Sequence, residues 1–470
     1  MIIQTRLRAW LRARFLWDRA FTQSVTRLAL PIFFQGLIMY SFSLIDNVMV
    51  GQLGATEMAA VTQANRLTFL WQTSLFGLSG GTVAFASQYW GKRDIPHIHR
   101  VLGMALCTAL SFAVVFMFLA IGMPGLVMRI LLPEPVAQAL GVSYLRIVGW
   151  AYLFQACTQI YAAILKQTER VKMPMFASMI AIVTNTTLNY GLIFGRLGLP
   201  RMGIPGAAIA TVLSTALEAT LIISIGYVRR YITAARLSAM IPREIELLRR
   251  YLRVVSTVIA NEFIWGLGMA MYSIVYGRIG QSAVAAISIA STFEAVSVAL
   301  MRGINAACGV LVGKQVGAGL REEANKVAQR LLGANFCAGF LCAGFLLTLS
   351  HTMMRRLYPV VEPEILQLAL RIVWITASFL PINAFSSTLI VGILRAAGDT
   401  TCALIIDTAP EWLFGVPIVA CMVLLFHWSL PLVLVILHCG SFIKSYFGYT
   451  RFRSGRWIHN LTIMASSDTG

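Results

Sequence analysis

Long apolar runs and short polar stretches alternate along the chain from Leu28 almost to its end. Twelve runs stand out, at 28–50, 58–88, 98–122, 137–165, 173–195, 204–228, 251–277, 283–312, 326–350, 364–394, 402–426 and 430–450. Each is long enough to cross a hydrocarbon core of ~30 Å as a helix, which takes about 20 residues. The longer runs tilt or extend into water. The pattern predicts an all-α integral membrane protein with twelve transmembrane helices.

Composition agrees. The 470 residues are 58% hydrophobic and 12% charged, against about 25% charged in soluble chains. The net charge of +19 suggests nucleic acid until the charges are placed. Most of the Lys and Arg fall in the tails and in every second loop: Arg6 to Arg27, "GKRD" at 91–94, "KQTERVK" at 166–172, and the stretch 229–253. That is the positive-inside bias, and it predicts both termini in the cytoplasm and no nucleic-acid partner. The eight cysteines lie in or beside apolar runs without a Cys-x-x-Cys pair, and read as small hydrophobes. The N-terminus has no cleavable leader pattern. Residues 1–27 read as a basic amphipathic segment on the inner surface.

The chain repeats itself. Shifted by 226 residues, "VGQLGATEMAAVTQA" (50–64) falls on "YGRIGQSAVAAISIA" (276–290), with Gly51 on Gly277 and Gly54 on Gly280. The same shift sets Gly77 on Gly303 and Gly91 on Gly317, and a shift of 225 sets "YLRIVGW" on "ALRIVWI". Ordered matches at nearly one offset indicate duplication. Six runs per half give both halves the same orientation, so the repeats are parallel and related by an axis along the membrane normal. The expected organisation is an N-lobe at 28–228, a cytoplasmic linker at 229–250, a C-lobe at 251–450 and a cytoplasmic tail at 451–470, the lobes enclosing a central cavity. Duplication builds channels and scaffolds as well, but rocking lobes favour a transporter.

Polar residues inside the runs carry the candidate chemistry. Asp46 is the only charge between Leu28 and Val50, and a carboxylate at a helix centre in lipid costs about 2.5–3.5 kcal/mol. Further acids within runs are Glu218, Glu262, Glu294, Asp407 and Glu411. Such acids mark ion pathways, unless they are paired internally or reach the headgroups. Asn185 and Asn189, four apart in "NTTLNYG", share a helical face; they offer oxygen ligands to a small cation, or hydrogen bonds between helices. Asp407 and Glu411 share a face likewise, with Arg395 a candidate partner. Pro31 is either a bend inside the first helix or a harmless residue of its first turn. The histidines form no ligand set, and no catalytic constellation appears.

"LIDNVMVGQLGATEMAAV" (44–61), "NTTLNYGLIFGRLGLPRMGIPGAAIAT" (185–211), "ILRAAGDTTCALIIDTAPEWLFGVP" (393–417) and "IKSYFGYTRFRSGRWIHNL" (443–461) resemble, in order, segments of the MATE (multidrug and toxic compound extrusion) transporters, bacterial NorM-like branch. The resemblance covers essentially the whole chain. It implies two six-helix lobes and an inner-membrane antiporter, not an enzyme, exporting organic, often cationic or amphiphilic, compounds against H⁺ or Na⁺ by alternating access. It implies a cation site at Asp46, Asn185, Asn189 and Thr211, a span 7 glutamate at Glu262, and a bending proline at Pro31. Glu262, Glu294, Asp407 and Glu411 are then candidates for a second acidic site or substrate cavity. The chain departs from the pattern in span 10, where "FLPINAFSS" holds Asn383 in place of an acid, and at "KQTER", where a glycine-rich turn is usual. No cofactor is expected beyond the coupling ion, and the partners are small organic molecules and membrane lipid, with the chain acting as a monomer. A lipid-linked oligosaccharide flippase is the alternative within the superfamily. An integral membrane enzyme would need a reactive His or Ser-His set.

Overall fold

The computed structural model describes residues 19–132, 134–242, 244–359, 361–426 and 428–463. Among them there is no strand. The helices are α1 (Arg19–Gly51), α2 (Ala55–Lys92), α3 (Ile95–Met117), α4 (Pro124–Leu131), α5 (Pro135–Val148), α6 (Ala151–Gln167), α7 (Lys172–Phe194), α8 (Ile204–Val228), α9 (Leu237–Met240), α10 (Ile245–Ile279), α11 (Gln281–Gly317), α12 (Arg321–Leu357), α13 (Pro363–Ser387), α14 (Thr400–Pro410), α15 (Val416–Leu424) and α16 (Leu430–Arg453). Wider π turns at Phe118–Gly122 and Thr388–Leu394 prolong α3 and α13, and a third at Glu411–Gly415 joins α14 to α15. Most of the amphipathic segment expected at 1–27 lies outside the described residues, as do His427 and the end of the tail from 464; residues 19–27 are the first turns of α1. Pro31 is therefore well inside α1, which excludes the first-turn alternative.

Among the described residues ten helices, counted across the π turns, are long and apolar enough to cross a membrane, and the pair α5–α6, bent by 48°, makes an eleventh. The twelfth expected span is α2, 38 residues long but more polar. Its polar side chains are satisfied from neighbouring helices: Tyr144 Oη donates to Asn65 Oδ1 (3.2 Å), Trp71 Nε1 to Gln155 Oε1 (2.7 Å) and Gln159 Nε2 to Ser79 Oγ (3.2 Å). Pairing of this kind removes the penalty of polar groups in lipid.

The chain forms two compact units. One comprises Phe34–Ala86 and Asp94–Phe263; the other comprises the described residues of Met1–Phe33, Ser87–Arg93 and Ile264–Gly470. In the first, the basic linker is pinned to the start of α3. Arg100 pairs with Glu244 (2.6 Å), and His99 Nε2 hydrogen-bonds Ile232 O (2.8 Å). A side chain at Gly103 would strike the Met240 backbone in α9. His97, between Asp94 (2.8 Å) and Glu244 (3.6 Å), belongs to the same bracket.

In the second unit an apolar core runs through α10, α11, α12, α13, α15 and α16, with Tyr272, Phe293, Leu346, Val373 and Val433 buried in it. The segment after α16 folds back as a strap. His459 N donates to Ala397 O (2.9 Å), Asn460 Nδ2 to Val316 O (3.1 Å) and Leu461 N to Gln88 Oε1 (2.7 Å). Gln88 Nε2 in turn donates to Ala396 O (3.0 Å) and His459 O (3.2 Å), so one buried amide ties three segments together.

The duplication is visible in close contacts. Gly54 and Gly280, equivalent under the 226-residue shift, have φ of +146° and +138°, a region that only glycine enters without strain. A Cβ at Gly77 would meet Ile259, and one at Gly303 would meet Phe33; 303 − 77 and 259 − 33 are both 226. Gly91 likewise meets the Lys314 backbone, and Gly317 the Gln88 backbone, with 317 − 91 and 314 − 88 again 226. Each contact maps onto its counterpart with the two halves of the sequence exchanged.

Candidate functional site

The candidate cation site lies in the first unit, where α1, α7 and α8 meet. Gly195, at φ +70°, ends α7 six residues after Asn189. In α8, a Cβ at Gly206 would stand 2.7 Å from Leu192 O, so the missing side chain lets α8 pack tightly along α7. These two glycines set the register in which the polar side chains of the three helices converge.

They form one hydrogen-bonded chain. Asn189 Nδ2 donates to Asp46 Oδ1 (2.9 Å) and to Asn185 Oδ1 (3.1 Å), and Asn185 Nδ2 donates to Ser214 Oγ (3.2 Å). Asn189 is only 3% exposed, yet its Oδ1 is buried without a hydrogen-bond partner. A buried acceptor left unpaired costs about 1–3 kcal/mol, so a donor or a cation is wanted there. The structure thus brings Asp46, Asn185 and Asn189 together. Thr211 Oγ1 instead donates to Ala207 O of its own helix (3.0 Å), while its carbonyl accepts from Ser214 Oγ (3.0 Å). Ser214, one turn beyond Thr211, is the hydroxyl that joins the amides, and reading "GAAIAT" only as far as Thr211 missed it.

The other acids do not form one cluster. Glu218 accepts from Ser178 Oγ (2.5 Å), which accepts from Gln35 Nε2 (2.8 Å). Glu262 is buried and belongs to the first compact unit, whereas Glu294, Asp407 and Glu411 belong to the second. Glu294 hydrogen-bonds Thr376 on α13, whose hydroxyl lies 3.4 Å from His438 Nε2. His438, which looks isolated in the sequence, stacks on Phe379 with ring centroids 5.3 Å apart. Asp407 and Glu411 share a lysine that sequence reasoning missed. Lys444 Nζ lies 2.9 Å from Asp407 Oδ1 and 3.5 Å from Glu411 Oε2, and Arg395 is 3.6 Å from Asp407. Asn383, in the place of the usual span 10 acid, accepts a hydrogen bond from Ser441. No group of three or more His, Cys, Asp or Glu among the described residues is arranged to hold a metal ion, and all eight cysteines are free thiols.

The MatE family model matches residues 31–191 and 256–420, so both halves of the chain carry the family's repeat. The chain belongs to the MatE family. Among its relatives is a "Probable multidrug resistance protein NorM" of Rhizobium meliloti (strain 1021), 26% identical over 414 residues, which are 85% of this chain and 86% of that one. The protein of the same name from Thermotoga maritima is 23% identical over 437 residues, 93% of each chain. Among solved structures, a MATE protein in complex with MaL6 shares the fold with a TM-score of 0.83 at 19% identity, covering 92% of this chain and 97% of that one. An outward-facing multidrug resistance MATE family transporter of the MOP superfamily also has a TM-score of 0.83, at 18% identity, with 94% and 97% covered. The fold expected from the sequence, helical and membrane-spanning, is the one observed.

Proposed function

We propose that the protein is a cation-coupled antiporter of the inner membrane, with both termini cytoplasmic, which exports organic cationic or amphiphilic compounds by alternating access with H⁺ or Na⁺ as the coupling ion. The observation that carries this reading is the part-buried chain of Asp46, Asn189 and Asn185, in which a carboxylate and an unpartnered amide oxygen sit together on membrane-spanning helices. Two acceptors with too few donors are completed by a proton on the carboxylate or by a small cation among the oxygens. The relatives named as multidrug resistance proteins support the export of organic compounds.

The mechanism follows from charge. Asp46 and the asparagines, with Ser214 and the Thr211 carbonyl, take up the ion from outside and neutralise the carboxylate. The neutral site then favours a different arrangement of α1, with Pro31 as the hinge, because a helix-interior proline lacks one backbone hydrogen bond. Export needs each ligand to bind the two arrangements with different affinity. Glu262 in the first unit and Glu294 in the second attract cationic cargo, whereas Asp407 and Glu411 are balanced by Lys444 and Arg395, and the chain works as a monomer.

Dye efflux from proteoliposomes tests the reading. An imposed proton or sodium gradient, inward with respect to the transporter, drives extrusion of a cationic dye well above the ungradiented rate. Efflux indifferent to both gradients contradicts ion coupling.

A further inference from the structure

The cluster around Lys444 has the construction of a binding site that the protein fills with its own side chain. Asp407 on α14 and Glu411 at the start of the following π turn present their carboxylates to one ammonium group on α16. Glycines at 268 and 415 let Glu411 and the π turn pack closely against α10. A Cβ at Gly268 would stand 2.5 Å from Glu411 Oε1, and one at Gly415 would strike the Tyr272 hydroxyl. Tyr272, 3% exposed and within electrostatic reach of Glu411, has its Oη buried without a hydrogen-bond partner. Tyr276 stacks on it, with ring centroids 6.3 Å apart and planes at 17°, and its Oη is unpartnered as well. A phenol hydroxyl beside a carboxylate, together with a stacked aromatic pair, is what an organic cation needs and more than a lysine requires. The π turn at Glu411–Gly415 adds to this, since such widened turns recur at functional sites.

The charges explain why the site holds a cation. Asp407 and Glu411 are balanced by Arg395 and Lys444, two against two, so the cluster is neutral only while Lys444 stays in place. Withdrawal of Lys444 leaves one net negative charge in a buried setting, which a monovalent cation restores. The ε-ammonium donates N–H bonds to the carboxylates, and a ligand that replaces it must do the same.

We propose that Asp407, Glu411 and Tyr272 form a binding site for an organic ammonium ion bearing N–H donors, in which Lys444 is the resident cation that the ligand displaces. This rests on the reading of the protein as an exporter of cationic compounds, and assigns that cargo a site apart from Asp46. The resident lysine keeps the acids neutral when no cargo is bound, so an unloaded transporter does not carry an unpaired charge through lipid. Ligand and lysine exclude each other, which makes cargo binding a charge-neutral exchange.

The test is equilibrium binding to detergent-solubilised full-length protein, with dansylcadaverine as the primary-ammonium probe and tetraphenylphosphonium as a cation without N–H donors. Lys444→Met binds dansylcadaverine about tenfold or more tightly than wild type, because the competitor is gone and a charge-assisted bond is regained. Lys444→Arg, which keeps the competitor, binds no more tightly than wild type. Glu411→Gln binds at least about tenfold more weakly. Tetraphenylphosphonium gains less than dansylcadaverine in Lys444→Met. Equal or weaker dansylcadaverine binding by folded Lys444→Met overturns the proposal, and an equal gain for both cations overturns the requirement for N–H donors. Should Lys444→Met not fold, Glu411→Gln decides, and unchanged affinity there overturns the proposal. Gradient-driven efflux by wild type with no affinity change in these variants sinks this inference alone, whereas absence of coupled efflux in wild type sinks the transport reading.

Discussion

Asn189 holds Asp46 by a 2.9 Å hydrogen bond from its Nδ2, while its own carbonyl oxygen is buried and unpartnered. The amide therefore orients the carboxylate and offers an oxygen beside it. Asn189→Leu removes both. The expected loss is about 1.5–3 kcal/mol of coupling-ion binding, roughly 10–100-fold in affinity. Isothermal titration with Na⁺, or proton uptake in unbuffered detergent solution, checks it; affinity within twofold of wild type contradicts the role given to Asn189.

The hydroxyls of Thr211 and Ser214 are predicted to behave differently. Thr211 Oγ1 is committed to Ala207 O, so Thr211→Val leaves ion affinity within about twofold. Ser214 Oγ accepts from Asn185, and Ser214→Ala costs about 0.5–1.5 kcal/mol, roughly two- to tenfold. The reverse order, in the same titration, would return the hydroxyl to Thr211.

Gly91 and Gly317 make reciprocal contacts and are predicted to be equally intolerant. In Gly91→Ala the new methyl strikes the Lys314 backbone, and in Gly317→Ala it strikes the Gln88 backbone. Neither neighbour is the flexible end of a side chain, so each variant loses about 1–3 kcal/mol. Thermal unfolding in detergent checks the pair, and the double variant loses less than the sum because both changes separate the same helix ends.

Gln88 anchors the strap through three hydrogen bonds, to Ala396 O, His459 O and from Leu461 N. Gln88→Ala leaves these buried backbone groups unpaired, at about 1–3 kcal/mol for each group that water does not reach. Limited proteolysis should then cut between Arg453 and Lys92-contacting Thr462 at least several-fold faster than in wild type. Equal cleavage rates would show that the strap is held without Gln88, by contacts such as His459 N to Ala397 O and Asn460 Nδ2 to Val316 O.

The membrane helices were legible because lipid leaves the chain few choices, and apolar runs of 20 or more residues must be helical there. The tenth run, 364–394, is reproduced at Pro363–Leu394, and two of the glycine pairs read from the sequence, 77/303 and 91/317, are in reciprocal contact. The bend at Gly149–Trp150 between α5 and α6 carried no proline to announce it, and the π turn at Thr388–Leu394 follows no local signal beyond Pro381 about two turns earlier. At the candidate site the i, i+4 spacing of Asn185 and Asn189 was enough to place them on one face, as the hydrogen bond between them shows. Ser214 and Lys444 were missed because their importance comes from partners 29 and 37 residues away in sequence, brought close only by helix packing.

Ion release upon cargo binding tests the central claim most directly. Adding a saturating cationic substrate to purified wild-type protein in weakly buffered detergent solution should expel about one H⁺, or one Na⁺ if that is the ion bound, per molecule, and Asp46→Asn should expel none while remaining folded. Equal release from both proteins would contradict the assignment of Asp46 as the carboxylate that the coupling ion occupies.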